Sequence, residues 1–508
     1  MQIARCSYIV TYLFLLIAAS FALPNVQYFS VDSAHERGST LSKRDNSLDE
    51  PVEVTVNLQQ SLSTISDHFI GVTIDMAMVK NNWETLDFNS GKVQNMARAL
   101  TPTFFRLGGG AADAVTYVLD DHYYQLDAPP PPSSLDFNMT AVQWEAVNEF
   151  ARTVGWDFIM DLNALKRNAD GSWNPDNARQ LLQFSADRNY TIAGFEMGNE
   201  YGHFEKKFNK TLTAAQLAKD VVALQKLLAE FPSYYSSFII GPETENSTEE
   251  YFQGFLAAGG YKSVRAASFH HYYFGSLAGR LSNFTQIKVL NSLALHIDDV
   301  MRQARSVDPQ LPLWMSETSS ASKGGVRGVS DRFVAGFLWL DKLGLCASKG
   351  IQTVLRQDFY GASYPLVDSD LNPTPDFWLT VLYKRIVRGA VFNATGRHDV
   401  RVYAACANTD SFNAGSLVIY TLNPNSHAVT FDLPQFQRQP RLLYSLTAGD
   451  SDGLLSKFTS LNGVKLELVN DELPDLKPES APPGVVTVAP YSFTFLVFPA
   501  ARVSICLH

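Results

Sequence analysis

The chain has 508 residues, of which 46% are hydrophobic and 12% aromatic, and its 41 lysines and arginines against 51 aspartates and glutamates give a net charge of −10 at pH 7. This length and apolar content exclude a disordered, collagen-like or coiled-coil protein and predict two domains, one of them large. The net negative charge argues against nucleic acid or an anionic membrane as a partner.

The N-terminus has the pattern of a secretory signal peptide. Arg5 is followed by an apolar run over residues 8–19 and then by small residues at Ser20 and Ala22, which is the order of such a leader. The run is shorter than the roughly 20 apolar residues that a spanning helix needs, and we expect no transmembrane segment. The sequence therefore predicts residues 1–22 as a signal peptide and a secreted, extracellular protein, with a lysosomal location as the alternative.

The next segment, residues 23–50, is polar and contains the dibasic pair Lys43-Arg44. It is either a short propeptide that is cut after this pair or a disordered tail.

Sequons and cysteines fit a secreted protein. Of the four cysteines, Cys6 lies in the signal peptide and Cys346 lies in an apolar stretch, where we expect a buried thiol. Cys406 and Cys506 are then favoured for one disulfide. Glycosylation is predicted at the six Asn-x-Ser/Thr sequons, which begin at Asn138, Asn189, Asn209, Asn246, Asn283 and Asn393.

From residue 52 to about residue 386, short apolar or β-branched runs alternate with amphipathic helical stretches. Eight runs are predicted as strands, at residues 72–74, 103–107, 158–162, 193–197, 237–240, 267–270, 313–315 and 352–355. Eight strands with intervening helices favour a (β/α)8 barrel over an open doubly wound sheet. The predicted fold class is α/β, with a (β/α)8 TIM barrel over residues 61–386.

The pattern changes after residue 387, where short strands are separated by turn residues. These strands are predicted at residues 400–405, 416–422, 428–433, 441–445, 464–468 and 492–498. Such spacing is typical of a β-sandwich, so residues 387–508 are predicted to form a C-terminal β-sandwich domain.

Two glutamates end predicted barrel strands. Glu200 follows Asn199 after the strand at residues 193–197, and Glu317 follows the strand at residues 313–315. Residues at the C-terminal ends of barrel strands converge on one site, so we expect the two carboxylates to meet there. Glycoside hydrolysis needs such a pair, about 5–5.5 Å apart in a retaining enzyme. A lone glutamate is more often an ordinary surface residue, and the strand-end pairing favours the catalytic interpretation.

Longer motifs surround these glutamates. They are Glu-Met-Gly-Asn-Glu at residues 196–200, His-His-Tyr-Tyr at 270–273, Ser-Glu-Thr-Ser-Ser-Ala at 316–321, Trp-Leu-Asp-Lys-Leu-Gly-Leu at 339–345 and Pro-Asp-Phe-Trp at 375–378. Together they resemble the heparanase family of endo-β-glucuronidases, glycoside hydrolase family 79. The resemblance implies a retaining enzyme with Glu200 as acid/base and Glu317 as nucleophile. It also implies that a strand at residues 51–60 joins the sandwich and that Cys406 pairs with Cys506.

The same resemblance implies which residues surround the nucleophile. One of His270 and His271 is expected at the sugar site, with His271 favoured, because adjacent strand residues point to opposite faces. Tyr273 is expected to hydrogen-bond the nucleophile, and the alternative is that it packs in the core as strand aromatics commonly do. Arg356 either orients the nucleophile or forms a structural ion pair.

Further positions match sugar-contacting residues of the family. The backbone N–H groups of Gly324 and Gly325 are expected to bind the carboxylate of a uronic acid. The remaining predicted substrate-binding residues are Asp75, Asn163, Asn199, Gln357 and Tyr364. The sequence departs from the family at Gly110, where threonine is usual, and at Ser322-Lys323, where an aromatic residue and a glycine are common.

No cofactor and no metal site is predicted. The two adjacent histidines point apart, and the sequence has no cysteine and histidine cluster at zinc spacing. The run Gly108-Gly109-Gly110 lacks the third glycine of a dinucleotide motif and has no phosphate-binding lysine after it.

The expected partner is a glucuronic-acid-containing polysaccharide, either heparan sulfate or hyaluronan. The acidic segment at residues 243–250 argues against a densely sulfated chain, while Lys206, Lys207, Lys210 and Lys323 are basic candidates near the cleft. The alternatives are an exo-acting β-glucuronidase and an inactive, polysaccharide-binding relative. We expect a monomer.

Overall fold

A computed structural model describes residues 50–119, 135–245, 249–396 and 399–507. The predicted signal peptide, residues 23–49 of the predicted propeptide or tail, and the sequon at Asn246 lie outside these ranges. Among the described residues, no helix combines the length and the apolar character that crossing a membrane requires.

Eight parallel strands close into a barrel, because the last strand pairs with the first. In chain order they are Ile70–Asp75, Phe104–Gly108, Asp157–Leu162, Gly194–Met197, Phe238–Glu245, Ala266–His271, Leu313–Thr318 and Thr353–Arg356. Each of the predicted barrel strands overlaps one of them. The predicted TIM barrel is confirmed.

Helices alternate with these strands along the chain. In one of them, Ala141–Val154, the Thr140 hydroxyl and the Gln143 side chain cap each other's backbone N–H groups, and Gly155 ends the helix at φ 74°, as helix capping predicts. The α-helices are Ala77–Lys80, Gly91–Arg98, Ala141–Val154, Asp176–Asp187, Phe204–Phe208, Ala214–Ala229, Glu249–Ala257, Ile287–Arg305, Ala335–Lys349 and Pro375–Ile386. Short 3₁₀ helices lie at Ala112–Ala114, Tyr201–His203, Gly260–Ser263, Leu281–Phe284, Pro434–Phe436, Gly453–Leu455 and Ser504–Leu507.

The C-terminal region forms two sheets of mainly antiparallel strands, as predicted for a sandwich; the exception is Val52–Glu53, which pairs in parallel with Val429–Asp432. The larger sheet has nine strands: Thr55–Ile65, Val387–Thr395, Arg401–Ala407, Leu417–Asn423, Ser492–Phe498, Arg441–Ala448, Thr459–Leu461, Val464–Lys465 and Glu479–Ala481. A second sheet contains Val52–Glu53, Val429–Asp432 and Val486–Val488. Two-stranded sheets pair Val115–Val118 with Phe137–Thr140 and Phe274–Gly275 with Ala321–Ser322.

The nine-stranded sheet packs on both faces. Ile419 and Leu496 on one face meet Phe431 of the smaller sheet, while Tyr420 and Phe493 belong to the same core cluster as the barrel. Adjacent residues of one strand therefore serve two cores. The strand Thr55–Ile65 pairs with Val387–Thr395 at the edge of this sheet, as the family resemblance implied; the exact domain boundaries stay predictions.

Covalent features follow the sequence in part. A disulfide joins Cys406 and Cys506, and Cys346 is a buried free thiol. Four sequon asparagines are exposed, namely Asn138, Asn189, Asn209 and Asn393, whereas Asn283 is half-buried. Their glycosylation stays a prediction.

The barrel interior is divided into two layers. An apolar layer consists of Phe104, Ile159, Ile240, Ala266, Trp314 and Leu355. Toward the C-terminal strand ends lies a second set of buried side chains, which we call the polar layer: Arg106, Asp161, Glu196, Glu243, His270 and Glu317. Side chains that alternate along each strand fill the interior in this way, and the polar layer forms the floor of the candidate site.

Candidate active site

A cavity of about 450 Å³ lies at the C-terminal ends of the barrel strands. Its lining residues are Asp75, Gly110, Asn199, Glu200, His203, Phe204, Lys206, Lys207, Phe208, Glu245, Tyr272, Glu317, Ser322, Lys323, Gly324, Gln357 and Tyr364. The cavity thus brings together both predicted glutamates and five of the predicted substrate-binding residues, Asp75, Asn199, Gly324, Gln357 and Tyr364.

Glu200 lies in a sharp turn after the strand Gly194–Met197. Gly198 and Glu200 both adopt positive φ, at 72° and 53°, which is uncommon for a residue with a side chain. Two backbone hydrogen bonds hold the turn: Asn199 donates to the Asp113 carboxyl group at 2.9 Å and Glu200 donates to the Glu243 carbonyl at 2.9 Å. The turn carries the Glu200 side chain into the cavity wall.

Each oxygen of the Glu317 carboxylate accepts a hydrogen bond. Arg106 donates from Nη1 to Oε2 at 2.7 Å, and the Tyr272 hydroxyl donates to Oε1 at 2.7 Å. Burial alone would raise the pKa of this carboxyl group, but the charges of His270 and Arg106 and the hydrogen bond from Tyr272 outweigh burial and lower its pKa below the ordinary value. Glu317 is therefore held ionised.

Arg106 is the central cation of the polar layer. Besides Glu317, its guanidinium donates to Glu196 at 2.6 Å and to the side-chain oxygen of Asn199 at 2.8 Å. Burial raises the pKa of Glu196 to about 8, and it raises the pKa of Asp161 well above the usual range. Burial thus favours the protonated, neutral form of both acids, and Arg106 remains a cation beside the nucleophile.

His270 bridges two carboxyl groups. Its Nδ1 is 2.8 Å from Glu200 Oε1 and its Nε2 is 2.8 Å from Glu243 Oε2. Burial would lower the pKa of this imidazole, but the charge of Glu317 and the hydrogen bonds to Glu200 and Glu243 outweigh burial and raise the pKa well above the ordinary value. The charged ring can donate from both nitrogens, which fixes Glu200 relative to the barrel floor.

The two predicted catalytic glutamates lie close together. An oxygen of Glu200, an oxygen of Glu317 and a ring nitrogen of His270 lie within 4.8 Å of one another. This bound on the nearest oxygens is shorter than the about 6.5–9.5 Å that separates the carboxyl groups of an inverting pair.

Asp75 and Gln357 form one wall of the cavity. Gln357 donates to the Asp75 carboxyl group at 3.3 Å, and the Thr73 hydroxyl donates to the Gln357 side-chain oxygen. Burial raises the pKa of Asp75 to about 6. Asp75 can therefore present either an accepting or a donating oxygen to a sugar hydroxyl in mildly acidic solution.

The favoured choice of His271 is wrong, because the ring at the site is that of His270. His271 packs against Tyr273 and His296, with ring centroids 4.8 and 5.1 Å away. Burial lowers the pKa of His271 well below its ordinary value, so it is a neutral histidine on the outer face of the strand.

The predicted hydrogen bond from Tyr273 to the nucleophile is also wrong, because Tyr273, like His271, lies on the outer face of the strand end. Tyr273 donates to the carbonyl of Leu338 at 3.2 Å, and Tyr272 contacts Glu317 instead. Residues 270 and 272 share the inner face of the strand end, and residues 271 and 273 share the outer face.

Three other predicted residues lie beside the cavity rather than in its wall. Asn163 donates from its side chain to the carbonyl of Val115 and accepts from the backbone of Leu165, both at 2.8 Å. Gly325 is buried against Tyr364. Arg356 pairs with Asp376 at 2.7 Å, which is the structural ion pair that was one of its two alternatives.

Sequence reasoning missed Arg106, Tyr272 and Glu243 as site residues. A signal for Arg106 existed, since it is the one charged residue in the run Phe104-Phe105-Arg106-Leu107 and lies two positions after an inward-facing ring. A charged side chain in a buried strand needs partners. The glutamates at the ends of other predicted strands could have been recognised as these partners.

Residues 51–344 match the model of a family described as glycosyl hydrolase family 79, N-terminal domain. Heparanase of Mus musculus is 31% identical, over 90% of this chain and 95% of that protein. Hyaluronoglucuronidase of Hirudo nipponia is 30% identical, over 90% and 99%. Inactive heparanase-2 of Homo sapiens is 28% identical, over 86% of each chain.

Among solved structures, a 4-O-α-L-rhamnosyl-β-D-glucuronidase from Fusarium oxysporum superposes with a TM-score of 0.67 at 16% identity, over 88% of this chain and 100% of that one. At this identity the likeness shows a shared fold.

Proposed function

The chain belongs to glycosyl hydrolase family 79, the family of the heparanases, and from this premise we propose that it is a secreted, retaining endo-β-glucuronidase. Its proposed substrate is a glucuronic-acid-containing glycosaminoglycan, either heparan sulfate or hyaluronan. The N-terminal signal-peptide pattern and the exposed sequons support secretion.

The observation that carries the proposal is the pair Glu200 and Glu317. Their closest oxygens lie within 4.8 Å, which suits a retaining pair. Glu317 has the depressed pKa of a nucleophile that must be ionised, and Glu200 lines the cavity beside it.

In the first step a carboxylate oxygen of Glu317 attacks the anomeric carbon of the glucuronide. The bond from this carbon to the glycosidic oxygen breaks, and Glu200 gives that oxygen its proton. In the second step Glu200 takes a proton from water, whose oxygen displaces Glu317 from the anomeric carbon. His270 and Arg106 keep the two carboxyl groups in place throughout.

The cavity offers groups for a uronic acid. Lys207 and Lys323 line it together with Gly324. An ammonium group or a backbone N–H group suits a carboxylate. Lys210 is not part of the cavity wall.

Three measurements test this proposal. Purified enzyme should release the fluorophore from a fluorogenic aryl β-glucuronide, and proton NMR of the first product should show the β anomer. Gel filtration of digested hyaluronan and heparan sulfate should show a rapid fall in chain length for one of them. Release of the α anomer would exclude double displacement. Release of single terminal residues with only a slow fall in chain length would indicate exo action.

The likeness to inactive heparanase-2 makes a polysaccharide-binding protein without activity the second candidate. Both glutamates and their supporting cations are present in this chain, which favours the enzyme. Binding of polysaccharide by a preparation that cleaves neither aryl glucuronide nor polymer would favour the second candidate.

A further inference from the structure

Two histidine–glutamate pairs flank Glu200. The inner pair is His270 with Glu243, described above. The outer pair is His203 with Glu245, whose side chains are hydrogen-bonded at the rim of the cavity. Glu243 and Glu245 are two residues apart at the end of the strand Phe238–Glu245; Glu243 is fully buried in the polar layer, whereas Glu245 lines the cavity. The proposed reaction uses the inner pair and leaves the outer pair without a role.

The two pairs approach different oxygens of Glu200. Oε1 faces His270 at 2.8 Å, on the side of the nucleophile, whereas Oε2 faces His203 Nε2 at 3.7 Å. An oxygen of Glu200, a ring nitrogen of His203 and an oxygen of Glu245 lie within 4.8 Å of one another. The outer pair therefore lies on the side of Glu200 away from Glu317.

That side is where the leaving group departs. A nucleophile and a leaving group occupy opposite sides of the anomeric carbon, and the acid that protonates the leaving oxygen must stand next to it. We infer that the outer pair lines the subsite of the leaving sugar and selects against an anionic substituent there. The inference rests on the proposed function and narrows its substrate to a glucuronic-acid polymer whose adjoining hexosamine carries no sulfate near the scissile bond.

Charge supplies the selection. If the imidazole of His203 is neutral the pair carries a charge of −1, and if it is protonated the pair is neutral, so in neither state does the pair attract a sulfate. The side chains are 50% exposed for His203 and 27% for Glu245, so solvent screens but does not remove the repulsion that the pair exerts while its imidazole is neutral.

Two lysines of the helix Phe204–Phe208 line the same cavity. Lys207 donates its ammonium group to the carbonyl of Gly110, which turns it toward the Asp75 wall. Lys206 lines the cavity and is exposed. Its replacement removes a positive charge and is therefore the matched counterpart of removing the negative charge of Glu245.

The test compares two aryl β-glucuronides that differ by one sulfonate group on the aryl ring, and its readout is the ratio of kcat/KM for the sulfonated to the neutral substrate. The ratio cancels errors in the amount of folded enzyme. Glu245→Gln should raise the ratio about fivefold or more, since it removes the carboxylate charge. His203→Ala should lower the ratio, because Glu245 then loses its partner, and Lys206→Ala should lower it as well.

An unchanged ratio in Glu245→Gln, within twofold of the wild type, would overturn the inference, as would a rise of the ratio in His203→Ala. Failure of the wild type to cleave the aryl substrates and also hyaluronan and heparan sulfate would instead contradict the proposed glucuronidase function. The two failures are therefore distinguishable in one experiment.

Discussion

The apolar layer and the polar layer of the barrel are built by the same strands and are equally buried, but they contribute opposite properties. In the apolar layer, Phe104 and Phe238 pack on Trp314 with ring centroids 5.0 and 5.4 Å away. About two residues further along the strands, the interior contains Arg106 and His270. Close packing of aromatic rings stabilises the fold without requiring particular polar partners. Burial of a charged group, by contrast, costs free energy of folding unless its partners are present.

The polar layer offsets this cost by balance of charge, while Asp161, Glu196 and Glu243 keep carboxyl oxygens without a hydrogen-bond partner among the described residues. Arg106 and His270 are cations, Glu317 and Glu243 are carboxylates with lowered pKa values, and burial keeps Glu196 mainly protonated at neutral pH by raising its pKa to about 8. Two positive and two negative charges therefore face one another inside the barrel. We expect changes in this layer to damage activity first and changes in the apolar layer to damage stability first.

The sharpest test is Glu317→Gln. The amide keeps the shape of the side chain but cannot form the covalent intermediate, so kcat should fall about a thousandfold or more. The melting temperature, measured by differential scanning fluorimetry, should stay within a few degrees of the wild type. Activity within tenfold of the wild type would remove Glu317 from the nucleophile role.

Arg106→Met tests the cation that the polar layer shares. Loss of this partner leaves Glu317 and Glu243 buried with less compensation, so we expect kcat to fall by about a hundredfold or more and the free energy of unfolding to fall by about 3–5 kcal/mol. Urea denaturation and steady-state kinetics measure the two effects.

A suitable control is Arg152→Met, since Arg152 pairs with Glu149 in an exposed helix position. Exposed pairs contribute about 0–1 kcal/mol. If Arg106→Met and Arg152→Met lowered kcat and the free energy of unfolding by the same amounts, the polar layer would not differ from an exposed ion pair.

Trp314→Ala tests the other layer. Removal of a fully buried indole should lower the free energy of unfolding by about 3–5 kcal/mol. The fraction that stays folded should keep kcat within a few fold, because Trp314 belongs to the apolar layer and is not among the described residues that line the cavity. A loss of kcat comparable to that of Arg106→Met, in folded protein, would show that the two layers are not separable.

Part of this architecture could be predicted from the sequence, because alternation of strands and helices and the position of glutamates at strand ends are local patterns. The orientation of the strand Ala266–His271 could not be predicted. All six of its residues are buried, so hydrophobicity does not tell the inner from the outer face. An error of one position exchanges His270 for His271 and Tyr272 for Tyr273.

Arg106 was missed for a related reason: its role depends on partners from three other strands, Glu196, Glu243 and Glu317. No local sequence pattern shows that side chains from these separate strands lie in contact. The outer pair, His203 with Glu245, is likewise formed by segments that are 42 residues apart.

His270→Gln tests the electrostatic link within the polar layer through pH. The cation of His270 helps to lower the pKa of Glu317, so its removal should raise that pKa and move the acid limb of kcat/KM to higher pH. The sign follows because the nucleophile is active only when ionised. We expect the activity at acidic pH, relative to the activity at pH 6.5, to fall in His270→Gln, and an acid limb that stayed in place would contradict the link.

The smallest expected effect distinguishes the inner from the outer face of one strand end. Tyr272→Phe removes a hydrogen bond to the Glu317 carboxylate, and Tyr273→Phe removes one to the backbone of Leu338. A hydrogen bond to a charged group contributes about 1.5–3 kcal/mol and one between neutral groups about 1 kcal/mol, but part of the first is lost equally in the ground state and the transition state. We therefore expect kcat/KM to fall about threefold to tenfold in Tyr272→Phe, with an acid limb at slightly higher pH, and stability alone to fall in Tyr273→Phe. Because the two variants lose the same atom at adjacent positions, the opposite assignment of effects would place Tyr273 at the nucleophile and reverse the orientation of the strand.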